Sequence, residues 1–150
     1  MNDERHGKGA SAEDVQALER GMSVRRAVLG DAHVDRAVER TSDFTASFQG
    51  YITRCAWGEV WTRPGLDRRT RSCITLGILT ALRCEEEIAM HVRAAVRNGL
   101  SAEEISEVLL HSAVYAGVPS ANIAFAAAQR ALAELGDAAA DPRRRGGDEA

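Results

Sequence analysis

The stretch LDRRTRSCITLGILTALRCEEEIAMH, residues 66–91, decides how the rest of the chain is interpreted. It begins with several arginines and then runs from Ser72 to Leu82 without a charged residue. A helix without charges is buried over most of its surface, so this segment predicts a central helix. Cys84, Glu87 and His91 follow at spacings of three and four, which place them on one face of a helix. The stretch therefore predicts a polar site carried by a rigid element of the core.

The composition of the 150-residue chain favours one helical domain. Apolar residues make up 45% and charged residues 27%, as in ordinary globular domains, whereas aromatic residues make up only 5%. Frequent alanine with few aromatic residues favours close-packed helices, because strands are enriched in β-branched and aromatic side chains. We therefore predict an all-α fold of six to seven helices.

Charge, hydropathy and cysteine spacing argue against several classes of protein. A net charge of -3 gives no electrostatic basis for binding nucleic acid, and no apolar run approaches the roughly 20 residues of a membrane span. The first ten residues lack the apolar core of a signal peptide. The thiols of Cys55, Cys73 and Cys84 are scattered, which fits a reduced, cytoplasmic protein. No pair has C-x-x-C spacing, so we expect no metal site.

The residues before Pro64 are predicted to form a polar start and three helices. Residues 1–21 are expected to comprise a flexible segment, disordered over residues 1–10, and a short helix that Ser11 caps and Gly21 ends. A short helix is expected from Asp31 and a longer one from the cap at residues 41–43. The apolar positions of the longer helix follow helical spacing and should pack inward: Phe44, Phe48, Tyr51, Ile52 and Cys55.

Four helices are predicted beyond the break at Pro64-Gly65. The main domain is expected to span residues 22–136, and residues 137–150 are expected to form a disordered tail. A capping box begins at Ser101, and Gly99 has the position of a glycine that ends a helix. The expected helices run from Asp67 to about Arg83, from about Glu85 to Asn98, from Ser101 to Gly117 and from Ser120 to about Leu135.

Two carboxylates and three imidazoles are candidates for chemistry. Glu87 lies four residues before His91, so its carboxylate can orient or charge the imidazole. Glu59 is expected on the apolar side of its helix, where a carboxylate needs a partner or takes a raised pKa. A structural ion pair and a functional role are both open for Glu59. A lone histidine at the edge of an apolar face, as expected for His91, is more often structural, but Glu87 and Cys84 on the same face favour a functional role. His111 and His33 are further candidates.

Arginines crowd around Pro64-Gly65, and Arg25 adds to them from farther upstream. Most of these side chains are expected in solvent, but a few convergent guanidinium groups suit a small ligand with more than one carboxylate. Trp57 and Trp61 either line such a pocket or belong to the core. The residues alone thus predict a small helical protein with a Glu, His and Arg site for a polar anion, and they name no reaction.

Three longer stretches are specific enough to indicate a family. They are RRAVLGDAHVDRA at 25–37, FQGYITRCAWGEVWTRPGLDRRTRS at 48–72 and HVRAAVRNGLSAEEISEVLLHSAVYAGVPSANIAF at 91–125. They resemble the 4-carboxymuconolactone decarboxylase family, over about Met22 to Leu135. The resemblance implies cofactor-independent decarboxylation of 4-carboxymuconolactone, a dicarboxylate lactone, to 4-oxoadipate enol-lactone in protocatechuate catabolism (the β-ketoadipate pathway). It also implies an all-helical subunit of a homo-oligomer, commonly a hexamer.

The wider superfamily of alkylhydroperoxidase D-like proteins carries a C-x-x-C-x-x-x-H motif on this helix. Cys84 and His91 match its first cysteine and its histidine, whereas Glu87 stands where the second cysteine would be. The missing dithiol argues against thiol peroxidase chemistry. Two alternatives remain: a redox protein that works through Cys84, and an oligomeric module without catalytic activity.

Spacing and resemblance together give each candidate a role. His91, positioned by Glu87, is the expected proton donor, and Glu59 is a second acid or orients an arginine. No cofactor is expected, because the implied substrate delocalises its own electrons. The expected substrate-binding side chains are Arg71, Arg68, Arg25, His33, His111, Trp57 and Trp61.

Overall fold

The structure, a computed structural model, describes residues 11–140, with side chains described through residue 138. Within that range it contains seven α-helices, one π-helical segment and no strand, so the predicted all-α fold of six to seven helices is confirmed. The elements are α1 (Ala12–Leu29), α2 (Asp31–Glu39), α3 (Asp43–Ile52), the π segment (Thr53–Val60), α4 (Arg68–Leu82), α5 (Glu85–Arg97), α6 (Ala102–Ala116) and α7 (Val118–Ala140).

The chain divides into two compact units at the predicted break. The first unit ends at Pro64 and the second begins at Gly65. In the described residues the first unit contains α1 to α3 and the π segment, and the second contains α4 to α7. None of the helices in the described range is long and apolar enough to cross a membrane.

Helix α1 is longer than the sequence predicts. Ser11 and Asp14 form the expected capping box, but the helix continues through Gly21 to Leu29, so the predicted end at Gly21 is wrong. Gly21 is buried because α1 packs there against the π segment. A Cβ atom on Gly21 would overlap the carbonyl oxygen of Thr53, so the missing side chain permits a close helix approach and does not end the helix.

The π segment follows α3 directly and changes the helical period. Its backbone turns are wider than α-helical turns, so side chains after Thr53 depart from the i, i+4 face that the sequence predicts. Gly58 faces Ala17 of α1 with no room for a Cβ atom. Helix α3 itself buries none of its residues: Phe44 is 96% exposed in the single chain, so its predicted inward packing is wrong.

The second unit follows the sequence predictions closely. Asp67 caps α4, and Ser101 and Glu104 form the capping box of α6. Gly99 has a positive φ of 94°, and Leu100 behind it is 4% exposed. Helix α7 begins at Val118 and runs to Ala140, beyond both predicted ends. The rest of the predicted disorder, residues 1–10 and 141–150, lies outside the described residues.

A continuous apolar core joins the four helices of the second unit. Leu76 of α4, which is fully buried, confirms that the uncharged stretch contributes a core face. The opposite face of α4 is exposed in the single chain, including Ile74 and Ile78, so burial over most of its surface is not observed. The core comprises Leu76, Ile88, Val92, Ala95, Leu100, Ile105, Leu109, Ala124, Ala127, Ala128 and Ala131.

Candidate functional site

The start of α5 carries Glu87 and His91 of the predicted Cys/Glu/His face, whereas Cys84 precedes the helix. Helix α4 ends at Arg83, which has left-handed backbone angles (φ 59°), and Cys84 then occupies the N-cap of α5. Glu87 is exposed and His91 is half-buried. Because the segment is helical throughout, their spacing of four places both on one face, as predicted. Glu85 in the same turn forms an ion pair with Arg130 of α7.

The core fixes the position of His91. Ile88 and Val92, on either side of it along α5, are fully buried in the apolar core of the second unit. The backbone that carries the half-buried imidazole is therefore anchored in the core on both sides. Cys84, also half-buried, has its thiol 3.7 Å from the carbonyl oxygen of Leu82.

His111 lies in a cleft between α4 and α6 of about 540 Å³. Its ring contacts that of Tyr115, with 5.1 Å between centroids. Cys73 lies on the opposite wall, and burial raises the pKa of its thiol, so this cysteine stays protonated near neutral pH. The cleft lining is Cys73, Ile74, Gly77, Glu107, Val108, His111 and Ser112.

The arginines at the start of α4 have different environments. Arg68 is exposed at the first helical position, and Arg71 is half-buried. Arg69 donates to the carbonyl oxygen of Gly99 and pairs with Glu104, which ties α4 to the start of α6. Arg69 is therefore a structural residue, which leaves Arg68 and Arg71 as the candidates in this group.

Arg25 is the most enclosed of the predicted site residues in the first unit. Its side chain is 6% exposed, although it carries a positive charge. Nη1 donates to Thr53 Oγ1 and Nη2 donates to Gln49 Oε1, both at 3.1 Å. Burial lowers the pKa of the guanidinium from its ordinary value, which is high enough that the group stays charged. Gln49 and Thr53 are not among the predicted site residues, and their spacing of four is their only signal in the sequence.

The other candidates of the first unit are distributed over α2 and the π segment. Glu59 is exposed, contrary to the expectation that it lies on an apolar face, because the π segment changes the angular position of each side chain. It lines a polar cleft of about 300 Å³ with Asp14 and Arg20. Trp57 is 7% exposed, and its ring centroid is 5.1 Å from that of Trp61. His33 is half-buried on α2.

The predicted site residues are thus divided between the two units. Within the second unit, the structure brings Glu87 and His91 together on α5, and His111 lines the separate α4–α6 cleft. Among the described residues, no group of three or more His, Cys, Asp or Glu side chains is arranged to hold a metal ion.

Comparison with known proteins identifies the family. The model of the carboxymuconolactone decarboxylase family matches residues 46–130, which is more than half of the chain. The chain is 46% identical over 123 residues to 4-carboxymuconolactone decarboxylase of Acinetobacter baylyi (strain ATCC 33305 / BD413 / ADP1), covering 82% of this chain and 92% of that enzyme.

Two further relatives extend the comparison. Over 120 residues the chain is 41% identical to nitrosuccinic acid decarboxylase npaB of Metarhizium robertsii (strain ARSEF 23 / ATCC MYA-3075), covering 80% of this chain and 84% of that enzyme. Over 47 residues it is 55% identical to a 4-carboxymuconolactone decarboxylase sequence of Pseudomonas putida, covering 31% of this chain and 98% of that sequence. The chain belongs to the carboxymuconolactone decarboxylase family.

Proposed function

We propose that this protein decarboxylates 4-carboxymuconolactone to the enol-lactone of 4-oxoadipate and carbon dioxide. The observation that carries the proposal is the 46% identity to the Acinetobacter enzyme over 82% of this chain and 92% of that one. An alignment of 123 residues extends into both units, since neither unit alone is that long. The proposal therefore concerns the whole fold and not one shared motif.

The substrate supplies its own electron sink. When the ring carboxylate leaves as carbon dioxide, the electron pair of the broken bond spreads through the ring double bond to the lactone carbonyl. The resulting dienolate then takes a proton on a ring carbon. We therefore propose that no metal or organic cofactor takes part. The protein must hold two carboxylates, stabilise the negative lactone oxygen and deliver one proton.

We assign the proton to His91 and the orientation of its ring to Glu87. An imidazole with a pKa of about 6.5 gives and regains a proton near neutrality. The half-buried position of His91 between the core residues Ile88 and Val92 supports this role, since the helix that carries the imidazole is anchored in the core. General acid catalysis of this kind accelerates a reaction by roughly 10²–10⁴-fold.

Guanidinium groups are the proposed ligands of the substrate carboxylates. Arg68 and Arg71 at the start of α4 are candidates in the second unit, and Arg25 is the candidate in the first. The remaining predicted residues stay secondary candidates for binding or for a second proton transfer: Glu59, His33, His111, Trp57 and Trp61.

A spectrophotometric assay with freshly prepared carboxymuconolactone tests the proposal. We expect loss of the lactone absorbance with release of one carbon dioxide per substrate. His91→Gln should lower kcat by roughly 10²–10⁴-fold while changing KM little, because it removes a group that acts in the transition state. A folded His91→Gln variant with wild-type kcat would remove His91 from the mechanism.

Cys84→Ser is the matched control, because it alters the N-cap of the same helix without changing the proposed acid. The variant should keep kcat within a few-fold of wild type. The alternative, a redox protein that works through Cys84, requires the opposite: rapid reaction of wild-type Cys84 with peroxide and no reaction in the serine variant. An oligomeric module without activity would neither decarboxylate the lactone nor react rapidly with peroxide.

The similarity to nitrosuccinic acid decarboxylase supports a second candidate substrate. Loss of the carboxylate beside a nitro group leaves a nitronate, which is again an anion delocalised onto oxygen and then protonated on carbon. The same residues therefore suit both reactions. Measuring kcat/KM for both acids decides between them, and we expect the lactone to be preferred.

We further propose that the subunit assembles into a homo-oligomer, with a hexamer as the family-implied state, and that it acts in the cytoplasm within protocatechuate catabolism. Exposed apolar side chains on α3 support assembly: Phe44 is 96% exposed and Phe48 61% in the single chain. Light scattering should show a multiple of the 16.2 kDa subunit mass. Phe44→Ser with Phe48→Ser should shift the mass downward if α3 lies in an interface.

A further inference from the structure

We propose that the first unit contains a binding site of its own for a small carboxylate, in which Arg25 supplies the positive charge and Gln49 and Thr53 hold the guanidinium. The chemistry that fits is one carboxylate attached to a small apolar body. Either the substrate or a separate small acid supplies that carboxylate. The first source rests on the proposed function, and the experiment below distinguishes the two.

The charge of Arg25 has no counter-charge among the described residues. No carboxylate of that range lies within 4.0 Å of its guanidinium, and both hydrogen-bond partners, Gln49 and Thr53, are neutral. Its Nε is buried without an acceptor in the described part of the chain. Burying a charge is costly unless it is paired, so an anion that enters beside Arg25 gains a strong interaction.

Neighbouring arginines show that acidic partners are available in this unit. Arg26, the next residue, pairs with Asp35 at 2.8 Å and with Asp31 at 3.2 Å. Hydrogen bonds from these two carboxylates raise the pKa of Arg26, whereas burial lowers that of Arg25. Within the described range, the more exposed arginine therefore has two carboxylate partners and the enclosed one has none, which is the arrangement expected of a charge that binds a ligand.

Arg25 lines a cavity of about 230 Å³. At roughly 30 Å³ per water molecule, that volume holds a small organic acid but not an extended ligand. Among the described residues, Arg25 is the only charged side chain in its lining, so one carboxylate is bound here and the rest of the ligand meets mostly apolar walls. The remaining lining is Leu18, Met22, Val38, Thr41, Ala46, Gln49, Gly50 and Thr53.

The geometry of the site is fixed by the contact of α1 with the π segment. Thr53, 2% exposed, is the first residue of that segment, and Gln49 lies one turn earlier on α3. Gly21, one turn before Arg25, allows the backbone at Thr53 to approach α1. The guanidinium is therefore positioned before any ligand binds, which lowers the ordering cost of binding.

Calorimetric titration of the full chain with sodium 2-furoate tests the site, since furoate combines one carboxylate with a small flat ring. Neutral 2-furamide at the same concentrations is the control for the ring alone. We expect wild type to bind furoate and not furamide. Arg25→Gln should weaken furoate binding by roughly 10- to 100-fold, because it removes a charge-assisted hydrogen bond.

Arg26→Gln is the matched variant, because it removes an arginine one position away whose charge is already paired. It should leave furoate affinity unchanged. If Arg25→Gln does not fold by circular dichroism, Gln49→Ala provides the test, since it removes one support of the guanidinium and should weaken furoate by about two- to tenfold. Wild-type furoate affinity in folded Arg25→Gln, or in Gln49→Ala where Arg25→Gln does not fold, would overturn the proposal.

Turnover kinetics then distinguish the two sources of the carboxylate. If the substrate occupies this site, furoate inhibits competitively with a constant equal to its calorimetric Kd, and loss of Arg25 raises KM more than it lowers kcat. If a separate acid occupies it, furoate binds but KM does not depend on Arg25. Absence of furoate binding to wild type at tens of millimolar overturns the site. Because calorimetry needs no turnover, failure of furoate to bind can be distinguished from failure of the protein to decarboxylate the lactone.

Discussion

Each of the two units of this protein is stabilised internally by a different kind of contact. In the second unit, leucine, isoleucine and valine side chains from α4 to α6 pack against alanines of α7 in one core. In the first unit, α1 and the π segment approach closely at Gly21 and Gly58, and an arginine and a threonine are buried beside this contact. Stability in the second unit therefore depends on side-chain burial, and in the first it depends also on how closely two backbones approach.

The largest expected effect is that of Gly58→Ala. A Cβ atom at Gly58 would overlap the carbonyl oxygen of Ala17, and one at Gly21 would overlap that of Thr53. Neither obstacle is a flexible side chain, so the helices must separate. We expect each substitution to lower the free energy of unfolding by about 3 kcal/mol or more, measured by urea denaturation.

Gly136→Ala in α7 is the control from the second unit. Apart from its chain neighbours and the nearby backbone of its own helix, no atom of the described residues lies within 4 Å of a Cβ atom built there, and Gly136 is inside a helix. Alanine should therefore stabilise the protein slightly, by about 0.5–1 kcal/mol, through its better helix propensity. Equal effects of alanine at positions 58 and 136 would mean that close backbone approach does not hold the first unit together.

The same contrast explains how much of the fold could be predicted. The second unit follows local rules: Ser101 with Glu104 forms a capping box, and Gly99 ends a helix with a positive φ. In the first unit the same residue type has another role. Gly21 suggests a helix end in sequence but supports a helix crossing in the structure, because the residues that face it lie more than 30 positions away.

The two units also differ in how well their candidate site residues could be predicted from the sequence. Glu87 and His91 are predictable as a pair because one helix fixes their separation. The hydrogen-bond partners of Arg25 lie 24 and 28 residues away, and no periodicity relates them to it. The sequence predicts the wrong side for Glu59, because α-helical spacing does not hold in the π segment and nothing in the sequence TRCAWGEV indicates wider turns.

A core substitution in the second unit should have the next largest effect. Leu109 of α6 is fully buried in the core, whereas Leu110 beside it is 56% exposed in the single chain. Leu109→Ala should cost about 2–5 kcal/mol, from lost apolar burial and the cavity left behind. Urea denaturation at a fixed protein concentration gives the value.

Leu110→Ala is the matched variant on the same helix. In an isolated subunit it should cost less than about 0.5 kcal/mol, because Leu110 is already largely exposed. A larger cost that grows with protein concentration would place Leu110 in a subunit interface. A large cost independent of concentration would contradict the difference in burial that separates the two leucines.

The smallest expected effect is one that both units share, at the first turns of α1 and α4. The backbone and hydroxyl of Thr70 hold the pKa of Asp67 below its ordinary value, and Ser11 does the same for Asp14. A carboxyl with a lowered folded-state pKa adds stability that is complete above its unfolded pKa, about 3.9, and is lost as the pH falls through the folded value.

Asp67→Asn keeps an acceptor for the Thr70 amide but has no charge. Both Asp67→Asn and Asp14→Asn should therefore be less stable than wild type at pH 7 and equal to it near pH 2, as measured by urea denaturation at each pH. Because these interactions are local to a helix start, they should not depend on whether glycines or leucines hold the unit together. A deficit of either variant that persisted unchanged at low pH would mean that packing, and not the carboxylate charge, makes the aspartate stabilising.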